Sequence, residues 1–89
     1  MQKSKQHRKR VLRSLGTAIR NRRVDQYLSQ QELGIKADLH RTHITDIEGG
    51  LRNISFLTLL RIANGLDCTL TELMSDAESL DGFDKGVAS

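Results

Sequence analysis

Residues 28 to 51 read Leu-Ser-Gln-Gln-Glu-Leu-Gly-Ile-Lys-Ala-Asp-Leu-His-Arg-Thr-His-Ile-Thr-Asp-Ile-Glu-Gly-Gly-Leu, and they leave little room for anything but two short helices joined by a tight corner. Ser29 is placed to be an N-cap, and Glu32 three residues later completes a capping box. Leu28 and Leu33 bracket that cap as a hydrophobic staple. Leu33 and Ala37 then fall four apart on one helical face. The helix has to stop near Asp38, because so short a corner needs a residue that tolerates the left-handed conformation, and Asp is one of the few besides Gly and Asn. Leu39 and Ile44 staple the second helix, Ile44, Ile47 and Leu51 are its expected buried stripe, and Gly49 and Gly50 end it. Arg41, Thr42 and Thr45 lie on another face, near its N-terminus.

A short helix offering Arg and Thr at its first turns has the shape and chemistry to enter a DNA major groove. The pattern resembles the helix-turn-helix of the Cro and lambdoid-repressor superfamily, often called the Xre family, over roughly residues 12 to 75. Leu39-His40-Arg41-Thr42 through Ile47-Glu48, followed by Arg52-Asn53-Ile54-Ser55, looks most like the controller proteins of restriction-modification systems. This chain has Gly34 where the family usually has Ala, Asp38 where it usually has Gly, and His43 where many members have Tyr. The resemblance implies an all-α, compact five-helix lambda-repressor-like domain.

The remaining segments read as scaffold for that pair. A first helix is expected over about residues 9 to 25, with Leu12, Leu15 and Ile19 inward, Val24 nearby and Arg23 closing it. Ser55 opens a fourth helix, with Ile54 and Leu59 as staple, Phe56, Leu59, Ile62, Ala63 and Leu66 as stripe, and Gly65 as end. Thr69 and Glu72 form a second capping box, Cys68 and Leu73 staple it, and Leu70 and Leu73 point to the core. The domain is thus bounded at residues 11 to 75, after a basic arm over residues 1 to 10 and before an acidic, aperiodic tail over residues 76 to 89, in which Leu80 and Phe83 are candidates for docking.

The net charge of +3 is unevenly placed. Residues 1 to 23 hold nine Lys or Arg and no acid, whereas residues 54 to 89 hold two basic and six acidic residues. This asymmetry points to a polyanion partner, with simple solubilisation as the bland alternative. Met1 to Arg10 has no apolar face for a membrane surface, and no apolar run follows the basic start as in a signal peptide. The Arg-rich start runs straight into the first helix, against a transit peptide. A single cysteine, Cys68, permits no intrachain disulfide and fits a cytoplasmic, nucleoid-associated protein. It reads as a small buried residue beside a cap. His40 and His43 stand three apart without a third ligand, so no metal is expected, and no other cofactor or small-molecule ligand either. Asn53-Ile54-Ser55 matches a glycosylation acceptor by chance.

Three layers of DNA contact follow. Arg41 is the candidate bidentate donor to guanine, with Thr42 and Thr45 offering a methyl or hydroxyl to base edges. The resemblance assigns phosphate contacts to Gln30, Arg52, Asn53 and, through a ring that is often Tyr in relatives, His43. It also pairs Arg23 with Glu48, where the alternative is two solvated charges. Asp46 either turns from the DNA, pairs with a nearby Arg, or accepts from cytosine. Leu57 and Leu60 lie off the main stripe and, with Met74, suggest a homodimer interface matching a palindromic operator; a slightly apolar monomer surface is the alternative. A double-stranded-DNA-binding transcriptional regulator, autoregulatory as a restriction-modification controller, is the resulting expectation. An antitoxin or interaction module that also binds its own promoter is the second. An enzyme is not expected, since the chain shows no nucleophile–base pairing, carboxylate pair or Gly-rich phosphate loop.

Overall fold

The computed structural model describes residues 2–80, with side chains from Lys5 onward. The helices are α1 (Gln2–Asp25), α2 (Gln30–Ala37), α3 (Arg41–Glu48), α4 (Phe56–Gly65) and α5 (Leu70–Glu78), with no strand among the described residues. Each contributes at least one large side chain with almost no exposure: Ile19, Leu33, Ile44, Ile62 and Leu73, with Leu66 at the cap of α4. Fully burying a side chain of this kind is worth about 1.5–3 kcal/mol, so this small centre is what holds five short helices together. Ala18, Ala37, Ala63 and Ala77 fill the crossings between them. α2 packs on α3 and α4, and α1 on α3 and α5.

The caps form as their chemistry dictates. Ser29 and Thr69 each accept from the amide three residues on, and Glu32 and Glu72 accept back from the cap amides. Ser55 caps α4 through the amide of Thr58. His40, a less favoured cap residue, starts α3 by accepting from the Thr42 amide at Nδ1 (3.0 Å).

Four helices end in one motif. The residue after the last turn is left-handed, its amide donates three residues back, and the next amide donates five residues back. The left-handed residues are Tyr27 (φ 60°), Asp38 (φ 59°), Gly50 (φ 70°) and Asp67 (φ 56°). The paired bonds are Tyr27 to Val24 with Leu28 to Arg23, Asp38 to Ile35 with Leu39 to Gly34, Gly50 to Ile47 with Leu51 to Asp46, and Asp67 to Asn64 with Cys68 to Ala63. Asp38 thus makes the corner expected of it. α4 ends at Gly65, as expected, with that glycine buried in its last turn, whereas α1 runs two residues past Arg23 to Asp25.

Several expectations are corrected. α1 begins at Gln2 rather than near residue 9, so residues 2–10 are helical turns continuous with the domain. α5 runs to Glu78, past the boundary drawn at residue 75, because Ala77 is buried and Leu80 packs against the core. The Phe83 expectation lies outside the described residues. Leu51 is 74% exposed, since the left-handed Gly50 turns the chain out before it. Val24 is 50% exposed because it sits beside, not on, the inward stripe of α1. Phe56, 64% exposed, opens α4 and lies outside the core. Leu12 and Leu70 are half-buried.

Candidate nucleic-acid interface

A buried polar network sets the position of α3. Arg23 at the end of α1 donates from Nε to Glu48 Oε2 (2.7 Å) and from Nη2 to Glu48 Oε1 (3.0 Å). Both side chains are nearly out of solvent, 11% and 4% exposed. Arg23 Nη1 donates to the Leu28 carbonyl (2.7 Å), and Glu48 Oε1 also accepts from Gln30 Nε2 (3.1 Å). Such satisfaction matters, because a buried charge without partners costs several kcal/mol. The Gln30 amide oxygen accepts from Thr45 Oγ1 (2.8 Å), whose proton is shared with the Arg41 carbonyl (3.1 Å). One chain of polar contacts thus links α1, the start of α2 and both ends of α3.

This arrangement leaves Arg41 and Thr42 exposed on the first turn of α3, with Thr45 one turn on. The Thr45 hydroxyl proton is engaged, so the group it offers outward is its methyl. The Gln30 side chain is committed inward at both ends, which leaves the amides of the first turn of α2 as its route to a phosphate. His43 is half-buried. Of the alternatives for Asp46, the structure selects pairing: Asp46 Oδ2 accepts from Arg52 Nη2 (2.8 Å). Arg52 is half-exposed on its side-chain atoms, and Asn53 beside it is exposed. Leu57 (67%) and Leu60 (36%) are exposed on α4, whereas Met74 packs partly against the core and is not part of an open strip.

Two braces escaped the sequence reading. Arg22 pairs with Asp76 on α5, which raises the guanidinium pKa chiefly through that hydrogen bond. Gln26 Nε2 donates to the Leu66 carbonyl (2.7 Å). They tie the end of α1 and the turn after it to α5 and to the cap of α4, across sequence separations of 54 and 40 that leave no local signal. The place of the His40 cap was detectable, since the Leu39–Ile44 staple brackets it.

Lys5, Arg8, Lys9, Arg10, Arg13 and Arg20 are exposed and have no acidic partner among the described residues. Like charges three and four apart, and cations at a helix N-terminus, oppose helix formation; a polyanion would relieve both. Cys68 is half-buried and its thiol pKa is raised, chiefly by burial. Among the described residues, no group of three or more His, Cys, Asp or Glu side chains could hold a metal ion, and no helix is long and apolar enough to cross a membrane.

Comparison with known proteins agrees with this geometry. The helix-turn-helix family HTH_3 matches residues 19–73. Control protein C.MunI from Mycoplasma is 47% identical over 51 residues, which cover 57% of this chain and 69% of that protein. Control protein C.BamHI from Bacillus amyloliquefaciens is 40% identical over 47 residues, covering 53% of this chain and 58% of that protein. Among solved structures, the restriction-modification controller protein C.AhdI from Aeromonas hydrophila superposes with a TM-score of 0.68 at 34% identity, covering 70% of this chain and 94% of that one. The chain therefore belongs to the HTH_3 helix-turn-helix family and, within it, to the restriction-modification controller proteins, and it is a DNA-binding transcriptional regulator.

Proposed function

We propose that this protein binds a palindromic operator as a homodimer and controls the genes of a restriction-modification system, its own included, in the cytoplasm at the nucleoid. The observation that carries the reading is the polar network, which fixes α3 while leaving Arg41 and Thr42 free at its leading turn. Arg41 reads guanine through its fork, and the methyl groups of Thr42 and Thr45 meet thymine. The amides of Gln30 and its neighbours, with Arg52, Asn53 and His43, hold phosphates and set the register. The exposed Leu57 and Leu60 meet a second copy. Two recognition helices then lie about 34 Å apart, one helical turn of DNA. The basic turns of α1 add phosphate contacts, each contributing about 0.9 to the salt slope of binding.

The test is a titration against DNA from the gene's own upstream region beside a scrambled duplex, at near-physiological salt. A preference of about 10³ or more is expected. Arg41→Ala is expected to abolish that preference with an unchanged melting temperature. Equal, weak binding to both duplexes would overturn the autoregulatory reading.

A further inference from the structure

Of the four left-handed helix-closing residues, three are types that suit the conformation: Gly50, Asp38 and Asp67. Tyr27 is the exception. An aromatic side chain has no local hydrogen bond with which to stabilise this conformation, as Asp has, and none of the conformational freedom of Gly. Nor does packing hold it there, because Tyr27 is 93% exposed and its hydroxyl has no partner among the described residues. The backbone beneath it is firmly set. Its amide donates to Val24, the next amide to Arg23, the Leu28 carbonyl accepts from Arg23, and Gln26 is tied to Leu66. The strain is therefore imposed by the fold, and the exposed ring is what the Tyr side chain adds.

The location says what that ring can meet. Tyr27 stands two residues before the Ser29 cap and three before Gln30, which touches Glu48 and Thr45 of the recognition helix. We propose that Tyr27 is a further DNA-contacting residue. Its hydroxyl donates to a backbone phosphate beside the N-terminus of α2, with its ring against the adjoining sugar. This rests on the DNA-binding reading above. A phosphate contact positions the protein without reading sequence, so its loss should weaken operator and scrambled DNA alike.

Two variants test this by anisotropy with labelled upstream and scrambled duplexes at low salt. Tyr27→Phe and Tyr27→Gly are each expected to bind both duplexes about fivefold more weakly. Tyr27→Gly should melt no lower than wild type, because Gly suits the left-handed position. A direct readout is also available, since this is the only Tyr in a chain without Trp: intrinsic tyrosine emission should change when DNA is added, beyond the inner-filter loss shown by free tyrosinamide. Wild-type affinity in both variants, or emission unchanged by DNA, would overturn the proposal. If wild-type protein bound neither duplex, the DNA-binding reading would fall and take this proposal with it. Arg41→Ala separates the two readings, since it should lose operator preference while keeping the tyrosine response on scrambled DNA.

Discussion

Glu48→Ala puts the central network to its severest trial. Glu48 accepts two hydrogen bonds from Arg23 and one from Gln30, and only 4% of its side chain is exposed. Removing it leaves a buried guanidinium with one remaining acceptor, the Leu28 carbonyl. Breaking a buried pair from one side costs about 3–5 kcal/mol. A domain of 89 residues has about 4–13 kcal/mol of stability in total, so this one change removes roughly a quarter of it or more. At about 4–8 °C per kcal/mol for a domain this small, the melting temperature should fall by roughly 12–40 °C. Urea unfolding followed by circular dichroism at fixed pH measures it, with Arg23→Met and the double variant Arg23→Met/Glu48→Leu beside it. The double variant buries no unpaired charge and should stay within about 1 kcal/mol of wild type, well above either single one. Single losses under about 1 kcal/mol that simply add would refute the argument and make Arg23 and Glu48 an ordinary surface pair.

Other perturbations follow from the same structure. Gly34→Ala gains about 1 kcal/mol of helix propensity, yet an added Cβ would lie 2.5 Å from the Leu39 carbonyl, a backbone atom that cannot rotate away; a net loss of about 1–2 kcal/mol is expected, and a raised melting temperature would show that the corner yields. The Glu32 and Glu72 carboxyls are held below their ordinary 4.5, each chiefly by the backbone amide of its cap residue. A lowered folded pKa gives stability that is complete above pH 4.5 and lost as pH falls through the folded value. The double variant Glu32→Gln/Glu72→Gln should therefore show a shallower fall of melting temperature below pH 4.5 than wild type, and identical slopes would count against the boxes. Leu57→Glu with Leu60→Glu should convert the dimer to a monomer by light scattering and lose operator preference while the fold persists, since both side chains are exposed in the single chain.

What was legible in the sequence was local. The capping boxes and the Asp38 corner depend on residues within five positions of one another, so short-range chemistry determines them. The apolar stripes were legible only where a partner helix faces them: Ile44 and Ile47 have α1 and α2 opposite, whereas Leu51 and Phe56 obey the same spacing on chain that nothing covers. The end of α1 near residue 25 was legible, but the left-handed residue that closes it was not, because it is Tyr, a type that carries no such signal. The basic start was read as an arm, since it has no apolar face; the backbone continues in helix regardless, carried forward from the packed turns at Leu15 to Ile19. At the interface, exposure of Arg41 and Thr42 followed from the stripe. The inward commitment of Gln30 did not, because its partners are contributed by another helix, 15 and 18 residues away.

That commitment bears on why a small domain buries an ion pair at all. Apolar residues of similar volume would hold Arg23 and Glu48's place about as well, so stability alone does not explain the pair. Directionality does. Leu against Leu tolerates rotation of one helix about its axis, whereas a two-bond fork from α1 and the two contacts of Gln30 on α2, to Glu48 and to Thr45, fix the roll of α3 from two neighbouring helices. Bidentate readout of a base edge has little tolerance for roll, because both donors of Arg41 must meet their acceptors together. The variant Arg23→Met/Glu48→Leu separates the two roles: it should remain folded and lose most of its preference for the upstream duplex while still binding scrambled DNA. Retention of full preference in that folded variant would show that the apolar core by itself orients the recognition helix.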